Sequence, residues 1–165
     1  MREPSFDDAT LALKLYELRR EHELRKARAM LGDLPFAGWE EIEATMQYEH
    51  KENAHFRQAT SYWELCASFV NRNIFHADVF LDSCGEGLFV YTAFKPWLAK
   101  IRESNPRFLN QTERVVNDNP TLRERCDVMD KQMIVWRAEA AAEAAKKGGK
   151  KKEKKKDKKQ GKKKK

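Results

Sequence analysis

The stretch from Glu52 to Arg72, Glu-Asn-Ala-His-Phe-Arg-Gln-Ala-Thr-Ser-Tyr-Trp-Glu-Leu-Cys-Ala-Ser-Phe-Val-Asn-Arg, decides the fold. Phe56, Ala59, Trp63, Cys66, Ala67 and Val70 fall on one helical face, with Tyr62, Leu65 and Phe69 beside it. A stripe this wide belongs to a helix buried against two or more neighbours. The rest of the chain must supply those neighbours, and its patterning is helical as well.

On the N-terminal side, Leu11, Leu15 and Leu18 recur at i, i+4 and i+7, which predicts a helix opening at Phe6 with Ser5 or Asp7 as its cap. Leu24, Ala27 and Leu31 extend a weaker stripe until Gly32-Asp33-Leu34-Pro35 ends it, and a short helix is expected over residues 39–48. On the C-terminal side, residues 77–103 carry Phe80, Cys84, Leu88, Tyr91, Leu98 and Ile101 at helical spacing. Pro96 removes a backbone donor and clashes with the carbonyl four residues back, so a kink is expected at residues 92–96. Asn105-Pro106 and Asn119-Pro120 each place a capping residue before a proline at the first helical position. They predict helices over 106–116 and 120–145. No strand-like alternation and no internal repeat occurs. The expected fold is all-α, an irregular bundle of five to six helices over residues 1–145.

The 165 residues carry 33 basic and 26 acidic side chains, net +7. That total hides a partition. From Lys146 to Lys165 there are 14 lysines against one Glu and one Asp, net +12. Residues 1–145 keep 19 basic and 24 acidic side chains, net −5. The tail, with no apolar residue, cannot offset chain entropy and is expected to be disordered. A membrane span is excluded, since spanning takes about 20 apolar residues and the longest useful run is Leu88 to Phe94. Three separated cysteines exclude a disulfide scaffold. The opening residues, Met1 to Asp8, carry three acids and a proline where a secretory signal needs an apolar run, which points to the cytoplasm.

The tail is the first candidate for function. Lys146, Lys147, Lys150, Lys151, Lys152, Lys154, Lys155, Lys156, Lys158, Lys159, Lys162, Lys163, Lys164 and Lys165 form a polycation. Its partners would be nucleic acid or another polyanion, or the chain's own acidic body. Lysine without interleaved aromatic residues reads phosphates and not bases. The bland alternative is a solubilising extension. Glu52 and His55 form one Glu-x-x-His unit, but di-iron bundles need two such units and further glutamates, so no metal and no cofactor is expected. Cys66, Cys84 and Cys126 lie on apolar stripes and read as core. Gly85-Glu86-Gly87 lies within a helical register and does not follow a strand, so it is a poor phosphate loop. Trp39, Trp63, Trp97 and Trp136 read as core before they read as a ligand pocket.

Phe6-Asp7-Asp8-Ala9, Leu15-Tyr16-Glu17-Leu18-Arg19-Arg20, Lys26-Ala27-Arg28 and Tyr62-Trp63-Glu64-Leu65 together resemble small uncharacterised helical proteins of acidobacteria and their relatives. The resemblance covers about residues 5–110 and departs in the basic tail. It implies a bacterial cytoplasmic all-helical domain and transfers no activity and no site residue. If the shared segments are a surface, Arg19, Arg20, Arg25, Lys26 and Arg28 are a docking face for a protein or phosphate-bearing partner. The alternative is a solvated helix face.

These readings converge on a non-enzymatic binding protein. Its body would dock a partner protein or a second copy, and its tail would hold polyanions without sequence specificity. The competing reading is a structural interaction module whose tail only aids solubility.

Overall fold

The computed structural model describes residues 2–161, with side chains through residue 143. Every regular element among them is helical. They are α1 (Phe6–Arg19), α2 (His22–Ala37), α3 (Trp39–Met46), α4 (Asn53–Asn71), α5 (Ala77–Ser83), α6 (Gly85–Phe94), a 3-10 turn (Lys95–Trp97), α7 (Leu98–Ser104), α8 (Asn110–Asp118) and α9 (Pro120–Gly161).

The helices outnumber the five or six expected because two long periodic segments break. The first breaks at Arg20–Glu21. Glu21 adopts an extended conformation and its carboxylate accepts the Leu24 amide at 2.8 Å, which starts α2 afresh. α2 then runs through Leu34-Pro35 to Ala37, past the expected stop. Pro35 falls in the last turns, where it forfeits one backbone bond, and its ring is buried. Gly38, at φ +100°, makes the turn into α3. The second segment breaks at Cys84 and again at the 3-10 turn that contains Pro96, where the kink is expected.

Asn119 caps α9 as predicted, its Oδ1 accepting Thr121 and Leu122 amides at 3.0 and 3.2 Å. Asn105-Pro106 does not open a helix. α8 begins at Asn110, after Leu109 in the left-handed region. The Glu64 carboxylate of α4 accepts the amides of Gln111 and Thr112, both at 2.9 Å, and the Thr112 hydroxyl at 2.8 Å. The amides left unpaired at the helix start thus find an anion on a neighbouring helix.

α4 is central. It packs on α2, α3, α5 and α8, while α6 packs on α2, α8 and α9. Phe56, Phe94 and Phe108 meet at centroid distances of 5.6–6.1 Å. Trp63 is fully buried, and so are Phe75 and Phe80, which meet edge to face. Complete burial of such a side chain contributes about 1.5–3 kcal/mol. Leu15 is buried, but Leu18 faces solvent with Leu13 and Tyr16.

α9 is buried along Leu122, Cys126 and Met133. Val128, Ile134 and Val135 are exposed. Its backbone is helical to Gly161. Alanine and lysine are good helix formers and no proline interrupts this stretch. The polyanion-binding lysines have side chains outside the described residues, and residues 162–165 lie outside them entirely.

Candidate functional site

The five basic residues proposed as a docking face do not share one environment. Arg19 ends α1 and turns inward. Its Nη1 donates to the Ser83 carbonyl at 2.8 Å, and its guanidinium lies over the rings of Tyr16 and Trp63, 5.1 and 5.6 Å from their centroids. Arg28 grips Glu86 through Nε at 2.7 Å and through Nη2, and its Nη1 donates to the Arg19 carbonyl at 3.0 Å. The hydrogen-bonded Glu86 raises the Arg28 pKa further. Arg20, Arg25 and Lys26 stay exposed. Arg25 donates to the Arg20 carbonyl at 2.7 Å, and Lys26 pairs with Glu23 at 3.0 Å.

Gly85-Glu86-Gly87 is the first turn of α6. Glu86 is taken by Arg28, and Gly87 lies against Trp63. His55 bridges α4 to α2, with Nδ1 2.8 Å from Glu52 and Nε2 3.4 Å from Glu23. Hydrogen bonding to Glu52, reinforced by Glu23, raises the His55 pKa. Lys26, with His55 and His22, lowers Glu23 to about 2. Among the described residues, no three metal-ligating side chains converge. Cys66, Cys84 and Cys126 are buried thiols, and the Ser83 hydroxyl lies 3.6 Å from the Cys84 sulfur.

Asp8 is a hub with its carboxylate fully buried. It binds Arg2 through both oxygens at 2.5 Å, the Ser5 amide and hydroxyl at 2.8 and 2.7 Å, and the His76 amide at 2.8 Å. His76 Nε2 donates to the Arg2 carbonyl at 2.7 Å, pinning the N-terminal segment to the α4–α5 connection. A hollow of about 190 Å³ opens beside this hub, lined by Arg2, Asn71, His76 and Asn119 among others. Its polar groups are committed to the fold: Asn71 to Gln111, His76 to Arg2 and the Asp78 amide, and Asn119 to the start of α9.

A different surface forms where the end of α2, the middle of α6 and α9 meet. An open groove of about 730 Å³ is lined by Asp33, Phe36, Ala37, Phe89, Trp136, Glu139, Ala140 and Glu143. Phe89 forms its floor, 6.5 Å from the Phe36 ring and 6.3 Å from the Trp136 ring. Among the described residues, the three ionisable side chains on its rim are all acids. A second hollow of about 290 Å³ shares Phe89 and is lined by Arg25, Arg28, Gly32 and Glu86 among others. Sequence reasoning missed the groove because its walls come from three separated segments. The one local hint was Trp136 beside the exposed Val135.

No helix among the described residues is long and apolar enough to cross a membrane. The family model described as "Domain of unknown function (DUF4760)" matches residues 4–118, which is more than half of the chain. No curated protein and no solved structure matches it.

Proposed function

The chain belongs to the DUF4760 family, a domain of unknown function, and from that premise we propose a function read from its own residues. It is a non-enzymatic binding protein of the bacterial cytoplasm. The helical body docks a protein partner, and the lysine tail binds nucleic acid backbones or other polyanions without sequence preference. The observation that supports this is the charge partition: net +12 in the last twenty residues against net −5 in the preceding 145. The direction of α9 supports it too. A helix rises about 1.5 Å per residue, so the backbone from residue 143 to Gly161 extends about 27 Å past the groove, with tail lysines spaced along it. There they meet a long polyanion without steric conflict with the body. Arg20, Arg25 and Lys26 are the members of the basic cluster left available for docking.

Fluorescence anisotropy of the full chain on unrelated double-stranded DNA and RNA tests this reading. If six to ten lysines neutralise phosphates, affinity falls about 10³–10⁵-fold between 50 and 200 mM salt. The same chain with its tail lysines replaced by glutamine loses both the binding and the salt slope. Retention of binding by that variant moves the site to Arg20, Arg25 and Lys26. Absence of binding near 150 mM salt leaves a helical interaction module whose tail is solubilising.

A further inference from the structure

We propose that the acid-rimmed groove of α2, α6 and α9 is the docking site for the lysine tail of a second copy of this chain. The groove's chemistry selects its occupant. Asp33, Glu139 and Glu143 rim it, and among the described residues no basic side chain lines it. Asp33 and Glu139 make no ion pair within the described residues. The floor is aromatic, built from Phe36, Phe89 and a Trp136 that is 40% exposed. Lysine suits both features: its methylene stem covers apolar surface, and its ammonium binds carboxylates or sits over an indole. The body already uses that contact elsewhere, with Lys100 Nζ 4.9 Å from the centroid of the Trp39 ring.

Beyond its first turn past Glu143, the backbone of the same copy's tail leads away from the groove. α9 is continuous from Pro120 to Gly161, so residue 146 already lies beyond Glu143 along the axis and the helix leads further away. A second copy solves the geometry. If two α9 helices cross antiparallel near residue 144, residues 146–153 of one lie beside residues 136–143 of the other. Each eight-residue stretch spans about 12 Å, and the relation is reciprocal, so both grooves fill at once and the pair closes by two-fold symmetry. The same lysines cannot serve a groove and a polyanion together, so nucleic acid dissolves the pair. The inference rests on the charge of the tail and not on its nucleic-acid binding.

Sedimentation velocity of the full chain at 50 and 300 mM salt tests it. The expected result is a dimer at 50 mM salt that dissociates at 300 mM. The double reversal Asp33→Lys/Glu139→Lys, at two exposed positions, weakens the pair about tenfold. Trp136→Ala weakens it with charge unchanged. Glu124→Lys/Asp127→Lys makes the same change in net charge at exposed α9 acids outside the groove and leaves the dimer intact, with circular dichroism confirming that each variant is folded. A monomer at 50 mM salt overturns the proposal, and so does equal weakening by the two double variants. Anisotropy on double-stranded DNA keeps the two readings apart. Dimerisation without DNA binding removes the nucleic-acid function alone, and DNA binding by a chain that never dimerises removes the groove alone.

Discussion

Gly87 of α6 lies so close to the Trp63 indole of α4 that a Cβ at residue 87 would stand 2.9 Å from Trp63 Cε3. The absent side chain is what lets the largest buried residue sit between these helices. Gly87→Ala is therefore expected to destabilise the fold by about 1–3 kcal/mol through overpacking, although alanine is the better helix former by about 1 kcal/mol. Gly32 in α2 is the control. A Cβ there meets nothing within 4 Å, so Gly32→Ala is expected to stabilise by about 0.5–1 kcal/mol. Urea unfolding of the two variants should shift in opposite directions. A shift in the same direction removes the packing argument.

Glu64 is a cap supplied in trans to α8. Glu64→Ala leaves the Gln111 and Thr112 amides without their acceptor, at a cost of about 1–3 kcal/mol. Glu64→Gln keeps one acceptor oxygen and should recover part of the loss. Amide hydrogen exchange at Gln111 and Thr112 reports the local effect, and unchanged protection in Glu64→Ala would count against the cap.

The Arg2 guanidinium hydrogen bonds, with those from Ser5 and His76, hold the Asp8 carboxyl well below the usual carboxylate range. The folded state therefore binds its proton less readily than the unfolded state. The contribution is fully present above the ordinary value of about 3.9 and is lost as pH falls through that value toward the folded one. Thermal unfolding followed from pH 6 to pH 3 should show a decline that Asp8→Asn makes shallower, starting from a lower Tm. An identical pH profile in that variant would contradict this role.

His55 has the opposite sign. Its pKa is raised by Glu52 and then Glu23, so its contribution is fully present below the ordinary value of about 6.5 and fades as pH rises through the folded value. Proton NMR should find His55 titrating above the ordinary imidazole value, and Glu52→Gln should bring it down. The stability effect is small, because the pair is partly solvated.

The hydrogen bond to Cys84, together with burial, pushes the Cys66 thiol up, and burial does the same for Cys126. A thiolate-specific reagent is expected to leave the native protein unlabelled and to modify all three cysteines after denaturation. Rapid labelling of native Cys84 would instead mark a reactive site.

Much of the fold is legible in the chain because it is encoded locally. The wide stripe from Phe56 to Val70 announces α4, Asn119-Pro120 announces α9, and Pro96 announces the turn before α7. The break between α1 and α2 is not legible. Arg20 and Glu21 are acceptable helix residues, and the break follows from Glu21 capping Leu24 while Arg19 reaches Ser83, 64 residues away. Asn105-Pro106 carries the same local signal as Asn119-Pro120, yet α8 starts later, where Glu64 supplies the anion. The basic cluster from Arg19 to Arg28 is five positive charges in sequence, but two of them are tied to Ser83 and Glu86. The groove is the least legible feature, because Asp33, Phe89 and Glu139 come from three helices.

By itself the sequence determined an all-α architecture around one buried helix, and an acidic body joined to a basic tail. Periodicity, capping and net charge depend on residues a few positions apart, or on none in particular. Only the tertiary structure decided which charges are spent inside the fold, why Gly87 must lack a side chain, and where three acids meet three aromatic rings. Those outcomes depend on how helices cross. Crossing is set by the summed packing of side chains distant in sequence, and no local window of the chain contains that sum.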